Sequence, residues 1–251
     1  NKIFATFFDI KGAYDSVWHN KLLHKLVKIG LSGHIYNYIK TFLSNRSIQV
    51  RVGNSYSKKH KIDMGVPQGS VIAPTLFNIM LHDIDKLQLN KTTKVMYADD
   101  LAIWTEVHKG NKRDNYKKAI KLHQENSDKV TIYMYLNGFQ LSPIKTVFMI
   151  FSRTNNTNLN IFLYDTTIKQ AKTVKFLGVI FTHNLTWTDH INHLINKSTK
   201  VLNLLKVISK QKWATDPKSL VALVGALIRS RLLYGQEAFF TISQSNIKRL
   251  Q

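Results

Sequence analysis

Two adjacent carboxylates, Asp99 and Asp100, sit in KVMYADDLAIW (Lys94 to Trp104) with apolar residues on both sides. Like unit charges about 4 Å apart repel by about 4 kcal/mol at an effective dielectric of about 20, so a half-buried pair calls for cations. A divalent metal, which favours hard oxygen ligands, is one answer. A solvated hairpin tip is the other, because Asp suits turn backbones and both flanks read as strands. A third carboxylate, Asp9, closes IFATFFDI (Ile3 to Ile10), either as an end-of-strand cap or as a functional group on a rigid element. Gln68 stands between Pro67 and Gly69 in a tight loop, where its amide can donate to and accept from a base or sugar.

The elements that must position these groups follow from pattern. Ile3 to Ile10 has no polar face and reads as a strand buried on both sides. Lys11 and Gly12 turn the chain, and a helix is expected over AYDSVWHNKLLHKLVKIG, with Val17, Leu22, Leu26 and Ile29 inward and Gly30 as its stop. Asp15 is assigned there to helix capping, and His19 and His24 to partly exposed helix positions without a second metal ligand at the right spacing. Ser32 to Leu43 reads as a second helix, followed by a basic hairpin with Ile48, Val50 and Val52 alternating. Its Arg46, Arg51, Lys58, Lys59 and Lys61 form either a solvated face or a phosphate-tracking surface. Pro74 suits the first turn of a helix carrying Leu76, Phe77, Ile79, Met80 and Ile84. A long helix is expected over Asn111 to Leu136, and FQLSPIKTVFMIF returns as a strand, with Lys145 just before its fully apolar part. Further strands are expected around Ile161 to Ile168 and over Val174 to Thr182. From Thr188 the pattern is helical alone: Ile191, Leu194, Ile195, Val201, Leu204 and Leu205 keep helical period, and Asp216-Pro217 is a cap and first-turn pair. This change of texture sets a boundary near residue 185.

A chain of 251 residues with 44% hydrophobic content can bury a substantial core. Its 36 Lys and Arg against 15 Asp and Glu give a formal charge of +21, which favours a polyanion, most plausibly nucleic acid. Charge alone leaves a binder without chemistry open. The absence of cysteine rules out a disulfide framework and thiolate metal sites and leaves a reducing compartment as the expectation; an intracellular setting, nucleus or cytoplasm, is expected, and the sequence does not fix which. The apolar run VALVGALI is too short for a bilayer span, so no membrane partner is expected.

Five segments line up in one order: FFDIKGAYDSV, GVPQGSVIAP, YADD, LSPIKT and FLGVIF. This series resembles the palm of reverse transcriptases, most closely those of non-long-terminal-repeat retrotransposons of the jockey-like kind, over almost the whole chain. The resemblance implies an α+β fold: a palm of antiparallel sheet packed on helices over residues 1–184, then an all-helical thumb or connection region, truncated, over 185–251. It implies RNA-directed DNA polymerase activity, with an RNA template, a DNA primer and a dNTP as partners. Asp9 and Asp99 would bind two Mg2+ ions (Mn2+ being able to replace them), Asp100 would complete the acidic cluster, and the Ile10 carbonyl would be a further ligand. Tyr14, five residues after Asp9, would exclude a ribose 2′-hydroxyl. Gln68 and Gly69 would contact nucleotide and template, Lys145 would protonate pyrophosphate, and Phe176, Leu177 and Gly178 would form the primer grip.

The chain opens on Asn1, with the strand that ends at Asp9 following at once, so it is expected to be a fragment. The fingers that clamp the triphosphate in this family are expected to be largely missing, with no endonuclease, RNase H or zinc knuckle in view. The isolated segment is therefore expected to be inactive or very weak. Two alternatives stay open: a retroelement-derived protein that only holds RNA, and an intron-maturase-like reverse transcriptase.

Overall fold

A computed structural model describes residues 2–107, 112–152, 159–210, 216–239 and 242–250. In chain order the elements are β1 (Lys2–Phe8), α1 (His19–Lys28), α2 (Gly33–Leu43), β2 (Arg46–Ile48), β3 (Arg51–Val52), β4 (Ser55–Tyr56), β5 (His60–Ile62) and α3 (Ala73–Leu81). A 3-10 turn (His82–Lys86) leads into β6 (Thr92–Tyr97), β7 (Asp100–Val107) and α4 (Lys112–Leu136). Then come β8 (Val147–Phe151), β9 (Phe162–Leu163), β10 (Thr166–Thr167), β11 (Lys169–Gln170), β12 (Thr173–Phe176) and β13 (Val179–Thr182). The helices α5 (Thr188–Ser209), α6 (Pro217–Val224), α7 (Ser230–Leu233) and α8 (Gln244–Leu250) follow. This is an α+β fold. Asn111, expected to open the long helix, lies outside the described residues.

The chain divides into two compact units: Asn1–Ile150 with Asn156–Gln170, and Phe151–Asn155 with Ala171–Gln251. The division therefore falls before residue 185. The β12–β13 hairpin groups with the helices because Val179 and Phe181 pack on Trp187, Ile191 and Leu194 at the start of α5.

The first unit is built on a five-stranded sheet in the order β11-β8-β1-β7-β6. β1 is its central strand, and its nearly continuous apolar run is explained by burial on both faces, with Phe4 and Thr6 fully buried on one and Ala5 at 2% exposure on the other. α1, α3 and α4 supply Leu22, Leu26, Phe77, Met80, Val130 and Met134 to the same core. Gly138, at φ +81°, closes α4 with the Phe139 N–H on the Met134 carbonyl, a C-cap that only glycine adopts without strain.

One polar chain crosses this core. His123 on α4 is held by Thr6 on β1 and Thr105 on β7, each at 2.8 Å. Thr105 continues to Thr92 at 2.6 Å, whose hydroxyl accepts from Asn126 at 2.7 Å. Burial pushes the imidazole down from its ordinary 6.5 to about 4. A depressed cationic acid is protonated more readily in the unfolded chain, so this contribution is complete above pH 6.5 and is lost as pH falls toward 4. The loss is on the order of 3 kcal/mol at about 1.4 kcal/mol per unit. Denaturant midpoints of the chain measured between pH 7 and pH 4 should fall through this window, and a flat profile would remove His123 as the cause.

Candidate active site

The register of the sheet brings the carboxylates together. β1 and β7 pair antiparallel with Phe8 opposite Leu101, so one further step sets Asp9 level with Asp100. β6 and β7 pair up to Tyr97 and Asp100, leaving Ala98 and Asp99 as a two-residue turn. Ala98 takes φ +51°, a conformation such a turn demands at its first position and that costs a non-glycine residue about 1 kcal/mol. The strained hairpin thus projects Asp99 beside the end of the central strand.

Asp9, Ile10, Tyr14, Gln68, Gly69, Asp99 and Lys145 line one cavity of about 540 Å³, shared with Gly12, Ala13, Ser70, Ala73 and Pro74. The stretch that carries Lys145 is tied to the end of the central strand by an isolated bridge between Ile10 and Leu141. Lys11 N–H bonds Gln140 O, Ser142 N–H bonds Asp9 O, each at 2.8 Å, and neither bond uses the Ile10 carbonyl. The buried Thr146 hydroxyl accepts from Asp9 N–H at 3.2 Å, which holds Lys145 next to the strand end. Tyr14 lies flat against Phe77, with ring centroids 4.9 Å apart and planes 19° from parallel. Its ring therefore both packs on the core and faces the cavity.

Asp100 belongs to the same electrostatic group without lining the cavity. Burial, then the neighbouring charges of Asp99 and Asp9, push its carboxyl above the ordinary range. Among the described residues no cation pairs with any of the three, since the ion pairs present are Lys25–Asp83 and Lys61–Asp63. Nor do they close into a cluster of three metal-binding side chains among those residues. Two carboxylates on one cavity, an adjacent backbone carbonyl and uncompensated like charge are a donor set that fits hard divalent cations.

Other expectations change. The helix expected from Ala13 starts at His19, because Val66 and Gly65 N–H groups take the Tyr14 and Val17 carbonyls, each at 2.8 Å. Asp15 is no helix cap; it accepts from Gln68 Nε2 at 3.1 Å. The strand expected over Phe139 to Phe151 is limited to Val147–Phe151, since Thr146 N–H turns back to Ser142 O. Thr146 was missed as a support for Asp9, although it ends the LSPIKT segment.

Phe176, Leu177 and Gly178 lie in the second unit, and they form a hairpin turn where a continuous strand was expected. Leu177 and Gly178 take φ +46° and +80° between β12 and β13. Tyr234 fixes this turn: its hydroxyl donates to Leu177 O at 2.8 Å, and a Cβ on Gly178 would approach its ring to 3.0 Å. Beside the turn, Lys175, His193, Lys197, Lys200, Arg231 and Tyr234 line a cavity of about 710 Å³. Burial and the charges of Lys197 and Lys175 hold the His193 imidazole below its ordinary value. Leu204, one of the residues that keep the helical period of α5, is 58% exposed and lines this cavity.

Comparison with known proteins places the chain in a family. The family model "Reverse transcriptase (RNA-dependent DNA polymerase)" matches residues 1–181. The "Probable RNA-directed DNA polymerase from transposon BS" of Drosophila melanogaster is 26% identical over 98% of this chain and 27% of its own length. The "RNA-directed DNA polymerase from mobile element jockey" of the same organism is 25% identical over 100% of this chain and 28% of its own length. The chain thus spans little more than a quarter of these relatives. Among solved structures, the telomerase of Candida tropicalis in complex with a TWJ fragment of telomeric RNA aligns over 99% of this chain and 41% of its own. Its TM-score is 0.49 at 13% identity. On the match across residues 1–181, the chain belongs to the reverse transcriptase (RNA-dependent DNA polymerase) family.

Proposed function

We propose that this chain carries the nucleotidyl-transfer centre of a longer RNA-directed DNA polymerase of a non-LTR retrotransposon. The observation behind this reading is the meeting of Asp9 and Asp99, from a strand end and a hairpin turn, in one cavity with Tyr14, Gln68, Gly69 and Lys145. Asp9, Asp99 and the Ile10 carbonyl would hold two Mg2+ ions, Mn2+ being an alternative, with Asp100 adding charge from behind. When bound, such ions polarise an attacking hydroxyl and stabilise a leaving pyrophosphate. The chain's own groups select and position. Tyr14, pinned on Phe77, presents a fixed edge that a ribose 2′-hydroxyl would strike. Gln68 offers its amide to the sugar or base, and the Lys145 amine would give a proton to departing pyrophosphate. In the second unit, the Leu177–Gly178 turn would seat the primer end, and the cationic cavity beside it would meet the duplex backbone.

The test is primer extension on an RNA template by a longer protein that carries this chain. Extension should require Mg2+, prefer dNTPs over rNTPs and vanish on chelation. Salt-sensitive RNA binding with no extension under any divalent ion would instead favour a protein that only holds RNA. The cationic cavity makes a separate prediction. Lys197→Ala and Arg231→Ala should weaken duplex binding uniformly across sequences and each lower the log K against log salt slope by about 1. An unchanged slope would take these residues off the backbone.

A further inference from the structure

An imidazole and a guanidinium from different elements converge on one backbone oxygen. His19 Nε2, at the start of α1, lies 2.7 Å from Gly65 O, and Arg46 Nη1, on β2, donates to the same oxygen at 3.0 Å. The residue they hold has no freedom to shift. Gly65 is buried at φ +83°, and a Cβ there would stand 2.8 Å from Asp15 O and 2.9 Å from Asp15 Cα. Gly65 N–H bonds Val17 O and Val66 N–H bonds Tyr14 O, each at 2.8 Å, so residues 65 and 66 are laid directly on the turn that carries Tyr14. Three residues on from Gly65, Gln68 Nε2 donates to Asp15 at 3.1 Å. A carboxylate only accepts, so Asp15 takes the nitrogen end of that amide and leaves its oxygen for the cavity.

We propose that Arg46, His19 and Gly65 form a clamp that fixes the spacing between Tyr14 and Gln68, making Arg46 and His19 positioning residues for sugar selection. The proposal rests on the reading of the cavity as a nucleotide site. It also reassigns Arg46, which the sequence left on either a solvated face or a phosphate-tracking surface: its guanidinium is spent inward, and its charge strengthens a bond to a carbonyl that a neutral donor would hold less firmly. His19 can donate from Nε2 in its cationic form and in one neutral tautomer, so the clamp does not require a charged imidazole.

Two measurements test it. Amide hydrogen exchange on this chain should show Gly65 and Val66 exchanging about tenfold faster in Arg46→Met, and faster still with His19→Phe added, as expected for losing a charge-assisted bond at a local opening. Amides of the β1–β7 ladder should stay unchanged, and Arg46→Lys should recover protection. In a longer protein that extends primers, Arg46→Met should raise the dNTP KM about tenfold and relax discrimination against rNTPs, with kcat nearly constant and Arg46→Lys restoring both. Unchanged exchange at Gly65 and Val66, exchange that rises throughout the fold, or faster local exchange with unaltered KM and sugar selectivity would each overturn the clamp. If the longer protein extends no primer, the polymerase reading falls, and exchange still decides whether the clamp exists.

Discussion

Asp99→Asn in the longer protein is expected to reduce primer extension by at least about a thousandfold, the loss that several kcal/mol of metal-borne charge stabilisation implies. RNA affinity should stay nearly intact, because removing one negative charge from a chain at +21 takes away no phosphate contact. The same substitution should raise the metal-free melting temperature. Asp99 has no cationic partner among the described residues and sits beside two like charges, so neutralising it relieves repulsion and breaks no ion pair. Lost activity with gained stability is the signature of a group kept for function. Asp100 supplies an internal check. Its carboxyl is raised first by burial and then by Asp99 and Asp9, so an NMR titration of Asp99→Asn should move it down without bringing it to the ordinary range. Because its folded value is raised, acidification protonates Asp100 early and should weaken divalent-ion binding as pH falls toward that value. Unimpaired extension by Asp99→Asn would remove the metal role from this hairpin.

The acids were singled out by their place in five ordered segments and not by position alone, since a strand end and a hairpin turn both suit aspartate without any chemistry. The covered sheet was legible in β1 itself, since a strand without a polar face must lie at the centre of one. What escaped was set by contacts between residues far apart in sequence. Ala13 and Val17 carry helical spacing, yet their segment is not helical, because Gly65 and Val66 claim its carbonyls from across the chain. Leucine rarely takes a positive φ, so VKFLGVIFT reads as one strand until Tyr234 is seen holding the Leu177 carbonyl. The division before residue 185 depends on which helix the last hairpin packs against, which periodicity cannot express. His19 and Arg46 read as surface side chains because nothing local announces that one distant glycine carbonyl takes both.

The largest stability effect should come from a pair that no motif marks. Lys25 on α1, 4% exposed in its side chain, places its ammonium 2.7 Å from Asp83 and 2.5 Å from Met80 O. Tyr133 on α4 donates to the same Asp83 oxygen at 2.5 Å. Burial raises the Asp83 carboxyl, but the hydrogen bonds from Lys25 and Tyr133 outweigh it and hold it below its usual range. Burial also pulls Lys25 down, against the pull of Asp83, so the ammonium survives there because of its partner. Asp83→Asn strands that charge and should cost about 3 to 5 kcal/mol in denaturant unfolding. Lys25→Met should cost less, since Asp83 is 31% exposed and water can solvate it. Replacing both by apolar residues of similar volume should recover most of the loss, because the pair repays little beyond its own desolvation. The sign with pH is fixed: a lysine held below 10.5 in the fold binds its proton more tightly when unfolded, so Asp83→Asn should regain stability as pH rises. A penalty under about 1 kcal/mol would mean that water screens the pair as it does at a surface. The pair joins α1 to the end of α3, whose first residues, Ala73 and Pro74, line the acidic cavity. Asp83→Asn should therefore lower activity only as the protein unfolds, leaving kcat below its reduced melting temperature unchanged, where Asp99→Asn should reduce it by at least about a thousandfold at every temperature.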